Sequence, residues 1–184
     1  MTLLCRHMED RLMDLMAHAA ERGLHGYKAD AGEVEQLRRD LGGNLPDWYA
    51  EFLTTWPLCG MLLQLEAGWY EPDGSPVDRH DLFWNDPANI RLESLEAHPG
   101  AVLLSRGYLC IAGDEADNYF INIAEGNDPP LYQFNHEAGL DADTLIAQGR
   151  TTIVSNLSSL FGWVSPIAAS SGPGQEPIYW EEFT

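Results

Sequence analysis

Hydrophobic residues in the first third of the chain recur at helical spacing. From Leu4 to Arg22 an apolar residue appears every three or four positions and charged residues take the opposite face, which predicts an amphipathic helix. A second helix is predicted from about Gly32 to Asp40, because Asp30 can cap its first turn and Glu33 completes a capping box. A third helix begins near Pro46, a residue suited to a first helical position. The buried face of this third helix is predicted to hold the aromatic residues Trp48, Tyr49, Phe52 and Trp56.

Further along, short apolar runs replace the helical spacing and predict strands. The predicted strands are Met61–Leu65, Val102–Leu104, Tyr108–Ala112, Tyr119–Ile123 and Leu131–His136. Short polar turns join the last three, which indicates an antiparallel meander. Residues 71–89 contain three prolines and several turn formers, so a loop with room for a short helical turn is predicted there. A final helix is predicted from about Thr152 to Val164, where apolar residues again recur at helical spacing.

The order of these elements, helices first, then strands, then a helix, is typical of the α+β class. Consecutive strands without intervening helices favour an antiparallel or mixed sheet flanked by helices. The 184 residues fit one domain better than two. No internal repeat and no alternating strand–helix pattern is present in the sequence.

Charge is the most informative feature of the composition. Ten Lys and Arg residues stand against twenty-nine Asp and Glu, for a net charge of −19. Such a chain repels nucleic acid and anionic membrane, which carry charge of the same sign. We therefore expect neither as a partner, and we expect a cationic surface, most simply that of a basic protein. An alternative interpretation is that the acidity only keeps the protein soluble.

The cysteines and the N-terminus indicate a cytoplasmic protein. The chain has an odd number of cysteines, and they are far apart in sequence: Cys5, Cys59 and Cys110. This argues against a disulfide framework and against a thiolate zinc site. Reduced thiols fit the cytoplasm. The N-terminus lacks the apolar run of a signal peptide. No stretch of about 18 apolar residues could span a membrane.

The motifs of common enzyme classes are missing from the sequence. His136-Glu137 does not continue into a second zinc-binding histidine, and the acidic run at residues 114–119 lacks the glycine of a calcium loop. Neither a nucleophile elbow nor a phosphate-binding glycine loop occurs. Cys59 and Cys110 lie in apolar runs, where burial raises a thiol pKa and lowers reactivity. We expect no enzyme, no metal and no cofactor; an enzyme of unrecognised type stays an alternative, since this many carboxylates always permit some catalytic pair.

Four segments resemble motifs of one family. They are Leu41-Gly42 with Leu45–Leu53, Ile111–Ile123, Leu131–Glu137 and Leu157–Phe161. In order and spacing they are similar to the motifs of the SUKH superfamily, which joins fungal cell-wall regulators of the Smi/Knr type to bacterial immunity proteins. The resemblance covers roughly residues 33 to 164. The acidic turn here lacks the glycines that many members carry, and residues 57–60 replace the usual glycine pair.

The resemblance implies an α+β binding protein. It divides the chain into an N-terminal helical extension (1–30), a SUKH-like domain (31–166) and a C-terminal tail (167–184), whose aromatic residues could dock. Bacterial members are commonly immunity proteins that neutralise a toxin, often a nuclease. A nuclease needs a basic surface to hold nucleic acid, and this agrees with the partner expected from charge. A general regulatory or scaffold protein of the same fold is the alternative.

The residues expected to contact a partner combine an aromatic anchor with acidic side chains. Aromatic residues in loops flanked by acids make good anchors at the centre of an interface, although such a ring can instead cap the edge of a core. The predicted partner-binding residues are Trp84, Asp86, Asp114, Glu115, Asp117 and Glu137.

Overall fold

The computed structural model describes residues 4–65, 81–113 and 118–180. Within these ranges the helices are α1 (Arg6–Glu21), α2 (Ala31–Asp40), α3 (Asp47–Thr55), α4 (Pro87–Leu95), α5 (Gly100–Leu103), α6 (Ala142–Thr144) and α7 (Leu157–Phe161). The strands are β1 (Met61–Leu65), β2 (Asp81–Trp84), β3 (Tyr108–Gly113), β4 (Asn118–Asn122), β5 (Leu131–Phe134), β6 (Arg150–Val154), β7 (Val164–Ala169) and β8 (Ile178–Tyr179). The other helical segments in these ranges are Leu104–Arg106 and His136–Ala138, both 3₁₀, and the π-helical Leu145–Gly149.

The described strands form one eight-stranded sheet in the order β6-β5-β4-β3-β2-β1-β7-β8. Each neighbouring pair is antiparallel. The α+β class is confirmed, and the sheet is antiparallel. The meander predicted from the short polar turns is also confirmed, because β3, β4 and β5 are consecutive in the sheet.

The first helix shares the main core of the protein. Met8, Leu12 and Leu15 of α1 are buried, and the helix packs against α7 and β7. Their spacing puts these side chains on one face, as the sequence predicts. The predicted N-terminal extension is therefore packed into the same hydrophobic core as the rest of the chain.

An aromatic cluster fills the centre of this core. Phe52 of α3 lies 5.5 Å from Tyr49, 5.7 Å from Trp84 and 5.9 Å from Phe161, measured between ring centroids. Trp84 and Phe161 are themselves 5.4 Å apart. Ring pairs at these distances add to the stabilisation from burial. The cluster thereby joins α3, β2 and α7 over one face of the sheet.

The second face of the sheet carries a smaller core. Tyr108, Phe120 and Phe134 pack edge to face there, with centroids 5.0 to 5.4 Å apart. Leu103 of α5 and Leu145 of the π-helical segment are fully buried against them. Short helical segments therefore cover this face, whereas α1, α3 and α7 contribute to the main core.

Two predictions in the middle of the chain are wrong. Asp81–Trp84 is a strand, where the sequence predicts a loop. The helix that begins at Pro87 lies where the sequence allows a short helical turn, and residues 71–80 lie outside the described ranges. Val102–Leu104 is helical, although its apolar run predicts a strand. In β2 the buried positions alternate, but flanking turn formers hide the pattern.

The predicted final helix is also wrong over most of its length. Residues 152–164 contain the end of β6, the five-residue α7 and the start of β7. Ile153, Leu157 and Val164 are buried, and their spacing matches a helix although they lie in three different elements. The predicted boundary after residue 166 falls within β7, and the described part of the tail returns to the sheet as β8.

Trp84 provides a test of the central packing. We expect Trp84→Ala to lower the free energy of unfolding by about 3–5 kcal/mol, because it removes a large side chain from a closed core. Urea denaturation measures the change. Met13→Ala is the control, since Met13 is 57% exposed and should alter stability by less than about 0.5 kcal/mol. Equal losses for the two variants would contradict this packing.

Candidate functional site

An open groove of about 490 Å³ lies between α2 and the N-terminal half of α4. Its lining contains one cationic side chain, Arg91, and the carboxylates Asp30, Glu33, Asp40 and Asp86. We call this feature the acidic groove, and we call these four side chains the carboxylates of the groove. A groove of this size is in the range of small binding sites in proteins.

Asp30 and Glu33 are fixed at the entrance to α2 by a capping box. The carboxylate Oδ1 of Asp30 accepts a hydrogen bond from the backbone N–H of Gly32 at 2.7 Å. In return, Oε2 of Glu33 accepts one from the N–H of Asp30 at 3.1 Å. These bonds satisfy N–H groups that a helix leaves unpaired at its start. Both side chains are exposed, so their charges face solvent from a fixed position.

Asp86 has the same role at the entrance to α4. Its Oδ1 accepts a hydrogen bond from the N–H of Asn89 at 2.8 Å, and Pro87 follows in the first turn. Its Oδ2 accepts a second bond from the hydroxyl of Tyr27 at 2.7 Å. Burial and the bond to Asp86 raise the pKa of the Tyr27 hydroxyl, so the tyrosine remains a neutral hydrogen-bond donor.

Tyr27 is held in place by a β-bridge to Cys59. The two residues exchange backbone hydrogen bonds, each of 3.1 Å from nitrogen to oxygen. This bridge ties the segment before α2 to the segment before β1. The tyrosine hydroxyl therefore reaches Asp86 from a backbone that is itself anchored.

The charge of Asp40 is compensated within the protein. Nε of Arg91 lies 3.2 Å from Oδ2 of Asp40, and the same guanidinium lies 2.6 Å from Glu96. Gln36 donates a further hydrogen bond to Asp40 at 2.7 Å. Within residues 4–65, 81–113 and 118–180, by contrast, the carboxylates of Asp30, Glu33 and Asp86 form no ion pair.

Of the three predicted partner-binding residues that the structure describes, Trp84, Asp86 and Glu137, it brings only Asp86 to this groove. Trp84 is 0% exposed in the aromatic cluster, so its interpretation as an exposed anchor is wrong. The reason is that β2 aims this ring into the core. Asp114, Glu115 and Asp117 lie outside the described residues.

Glu137 is exposed and lies apart from Asp86. Three antiparallel pairings separate β2 from β5, so the two strands run in opposite directions. Asp86 follows the end of β2 and Glu137 follows the end of β5. The two carboxylates therefore leave the sheet in opposite directions, and Glu137 does not line the groove.

Sequence reasoning missed most of the groove. Asp30 and Glu33 are recognisable as a capping box, but that signal indicates only where a helix begins. The sequence Asp86-Pro87 carries the equivalent signal for α4, a cap followed by proline. Nothing local shows that these two helix entrances lie side by side, because only the tertiary fold brings them together.

Other kinds of site find little support in the part of the chain that is described. No group of three or more His, Cys, Asp or Glu residues there is arranged to hold a metal ion. None of the helices in that part is long and apolar enough to cross a membrane. Burial raises the pKa of Cys59 to about 12 and raises that of Cys110 as well, which confirms the expectation for these thiols.

Comparison with protein-family models finds no matching family, and comparison with curated proteins finds no matching relative.

The thiols give a chemical test of this environment. In Cys5→Ser protein at about pH 8, we expect Cys59 and Cys110 to react with an aromatic disulfide reagent about 100-fold more slowly than in denaturant, because a raised pKa leaves little thiolate. Absorbance of the released thiolate measures the rate. Rapid reaction of the folded protein at either thiol would contradict the burial described here.

The cap at α2 can be separated from its charge. We expect Asp30→Ala to lower the free energy of unfolding by about 1 kcal/mol, because N–H groups lose their acceptor. Asp30→Asn should leave stability nearly unchanged, since an amide oxygen also caps a helix. Thermal and urea denaturation of the two variants measure the difference. Equal destabilisation by Ala and Asn would show that the charge, and not the cap, supports α2.

Proposed function

We propose that this protein binds a basic protein through the acidic groove. The observation that carries the proposal is the set of three carboxylates, Asp30, Glu33 and Asp86, which lack an ion pair in the described ranges and border open space. A lysine or arginine side chain entering the groove would pair with them. Charged hydrogen bonds of this kind are among the stronger polar contacts in proteins.

The overall charge supports the same kind of partner. A net charge of −19 attracts a basic protein over distances longer than a direct contact, which speeds its association. The fixed carboxylates of the groove then act at short range. Because their positions are set by helix caps, little conformational entropy is lost when a cation binds.

The proposed biological role is that of an immunity protein of the SUKH type, which neutralises a basic toxin such as a nuclease. Two observations support it: the α+β fold with an antiparallel sheet, and the motif resemblance between residues 33 and 164. Covering the cationic surface of a nuclease would remove the part of the toxin that holds nucleic acid.

The groove can be neutralised without removing its caps. The triple variant Asp30→Asn, Glu33→Gln, Asp86→Asn keeps side chains that can cap both helices. Because the three carboxylates that would pair with cations of the partner are lost, we expect the variant to weaken binding of the basic partner by about 2–5 kcal/mol. The partner is recovered by affinity capture from the native host on the wild-type protein, identified, purified and measured by titration calorimetry.

A matched control removes the same charge elsewhere. The variant Asp10→Asn, Asp14→Asn, Glu21→Gln neutralises three exposed carboxylates on α1, and it should bind nearly as well as wild type. Added salt should weaken wild-type binding more than it weakens binding by the groove variant. An equal loss of affinity in both triple variants would mean that net charge alone, and not the groove, accounts for binding. Capture of a neutral partner whose binding does not depend on salt would contradict the proposal.

A further inference from the structure

The chain between β7 and β8 forms a short hairpin loop beside the groove. We call residues 170–177 the C-terminal loop. It is folded by its own hydrogen bonds: the hydroxyl of Ser170 donates to the carbonyl oxygens of Gly172 at 2.8 Å and Gln175 at 2.9 Å. The N–H of Gln175 donates to Gly172 at 3.2 Å. The loop therefore has a defined shape.

Pro173, near the tip of this loop, lines the acidic groove. It is the part of the lining farthest along the chain from α2 and α4. Proline has a rigid ring and no N–H donor, so it adds an apolar surface to a lining that also contains the carboxylates. Such a surface suits the aliphatic stem of a lysine or arginine whose charged end reaches the acids.

Gly60 lies between the base of the loop and the ring of Tyr27. Gly60 has a φ of +73°, and a Cβ there would lie 2.8 Å from Cε1 of Tyr27 and 3.1 Å from Cβ of Ser170. The N–H of Ser170 donates to the carbonyl oxygen of Gly60 at 2.9 Å. Only glycine fits this close approach. The loop and the tyrosine that binds Asp86 are thus held against the same backbone.

A second contact joins the end of β8 to Arg22, the residue that follows α1. The guanidinium carbon of Arg22 lies 3.9 Å from the ring centroid of Trp180, which is a cation–π contact. Nη1 of Arg22 also donates to the carbonyl oxygen of Pro166 in β7 at 2.8 Å. The N–H of Trp180 donates to Ile167 at 2.8 Å. We call this arrangement the Arg22–Trp180 clasp.

We propose that the Arg22–Trp180 clasp positions the C-terminal loop as the apolar wall of the partner site, so that Trp180 controls affinity without contacting the partner. This inference rests on the proposed function of the groove. It makes Trp180 a positioning residue, which acts through Pro173. Because Trp180 is uncharged, the effect is separable from the attraction of the carboxylates.

The test combines hydrogen exchange with binding of a fluorescently labelled oligolysine peptide. In Trp180→Ala we expect faster exchange of amides 170–177 and peptide affinity weaker by about three- to tenfold, because the wall must then be ordered on binding. Trp180→Phe keeps an aromatic face for Arg22 and should restore most of both properties. Tyr179→Ala is the matched control, since this neighbouring side chain is 61% exposed and should change neither.

Each outcome bears on a separate part of the inference. Faster loop exchange with unchanged peptide affinity would overturn the role of the loop as a wall, while the groove proposal would stand. Unchanged exchange in Trp180→Ala would overturn the clasp. A wild-type protein that binds the peptide no better than the triple variant Asp30→Asn, Glu33→Gln, Asp86→Asn would overturn the proposed function, and this inference with it.

Discussion

The mutual packing of Phe52, Trp84 and Phe161 is the contact on which the position of the groove depends. It fixes α3 on the sheet and holds β2 in place as an interior strand of that sheet. Only one residue separates Trp84 from Asp86, so the buried ring also determines where the cap of α4 emerges. An error in this core would displace the carboxylate and the helix that follows it. The position of Asp86 in the groove therefore depends on the buried packing of Trp84.

The carboxylates of the groove have a structural role as well as an electrostatic one. Asp30 and Asp86 satisfy backbone donors at two helix entrances, and the positive end of each helix dipole favours their charge. This offsets some of the repulsion between acids that lie close together. The same requirement that starts the helices therefore produces an anionic surface, without an additional cluster of acids.

The sequence predicts elements whose signal is local. The first three helices and the strands β1, β3, β4 and β5 follow from spacing and caps. β2 is hidden because turn-forming residues flank it, and β7 because the buried Leu157, Phe161 and Val164 mimic one helix across a turn. The groove could not be predicted as a site, because Asp30 and Asp86 meet only through the tertiary fold. The net charge leads to the expectation of a basic partner, but it does not indicate which surface would bind that partner.

The groove is built from segments far apart in the chain: the stretch from Tyr27 to Asp40, the stretch from Asp86 to Arg91, and Pro173. A nascent or unfolded polypeptide therefore has no such site. Any ligand that binds here recognises the native state alone and shifts the folding equilibrium by mass action. Binding of a partner is then linked to the lifetime of the protein in the cell, because a chain with a bound partner unfolds less often and is degraded by proteases more slowly than a free chain.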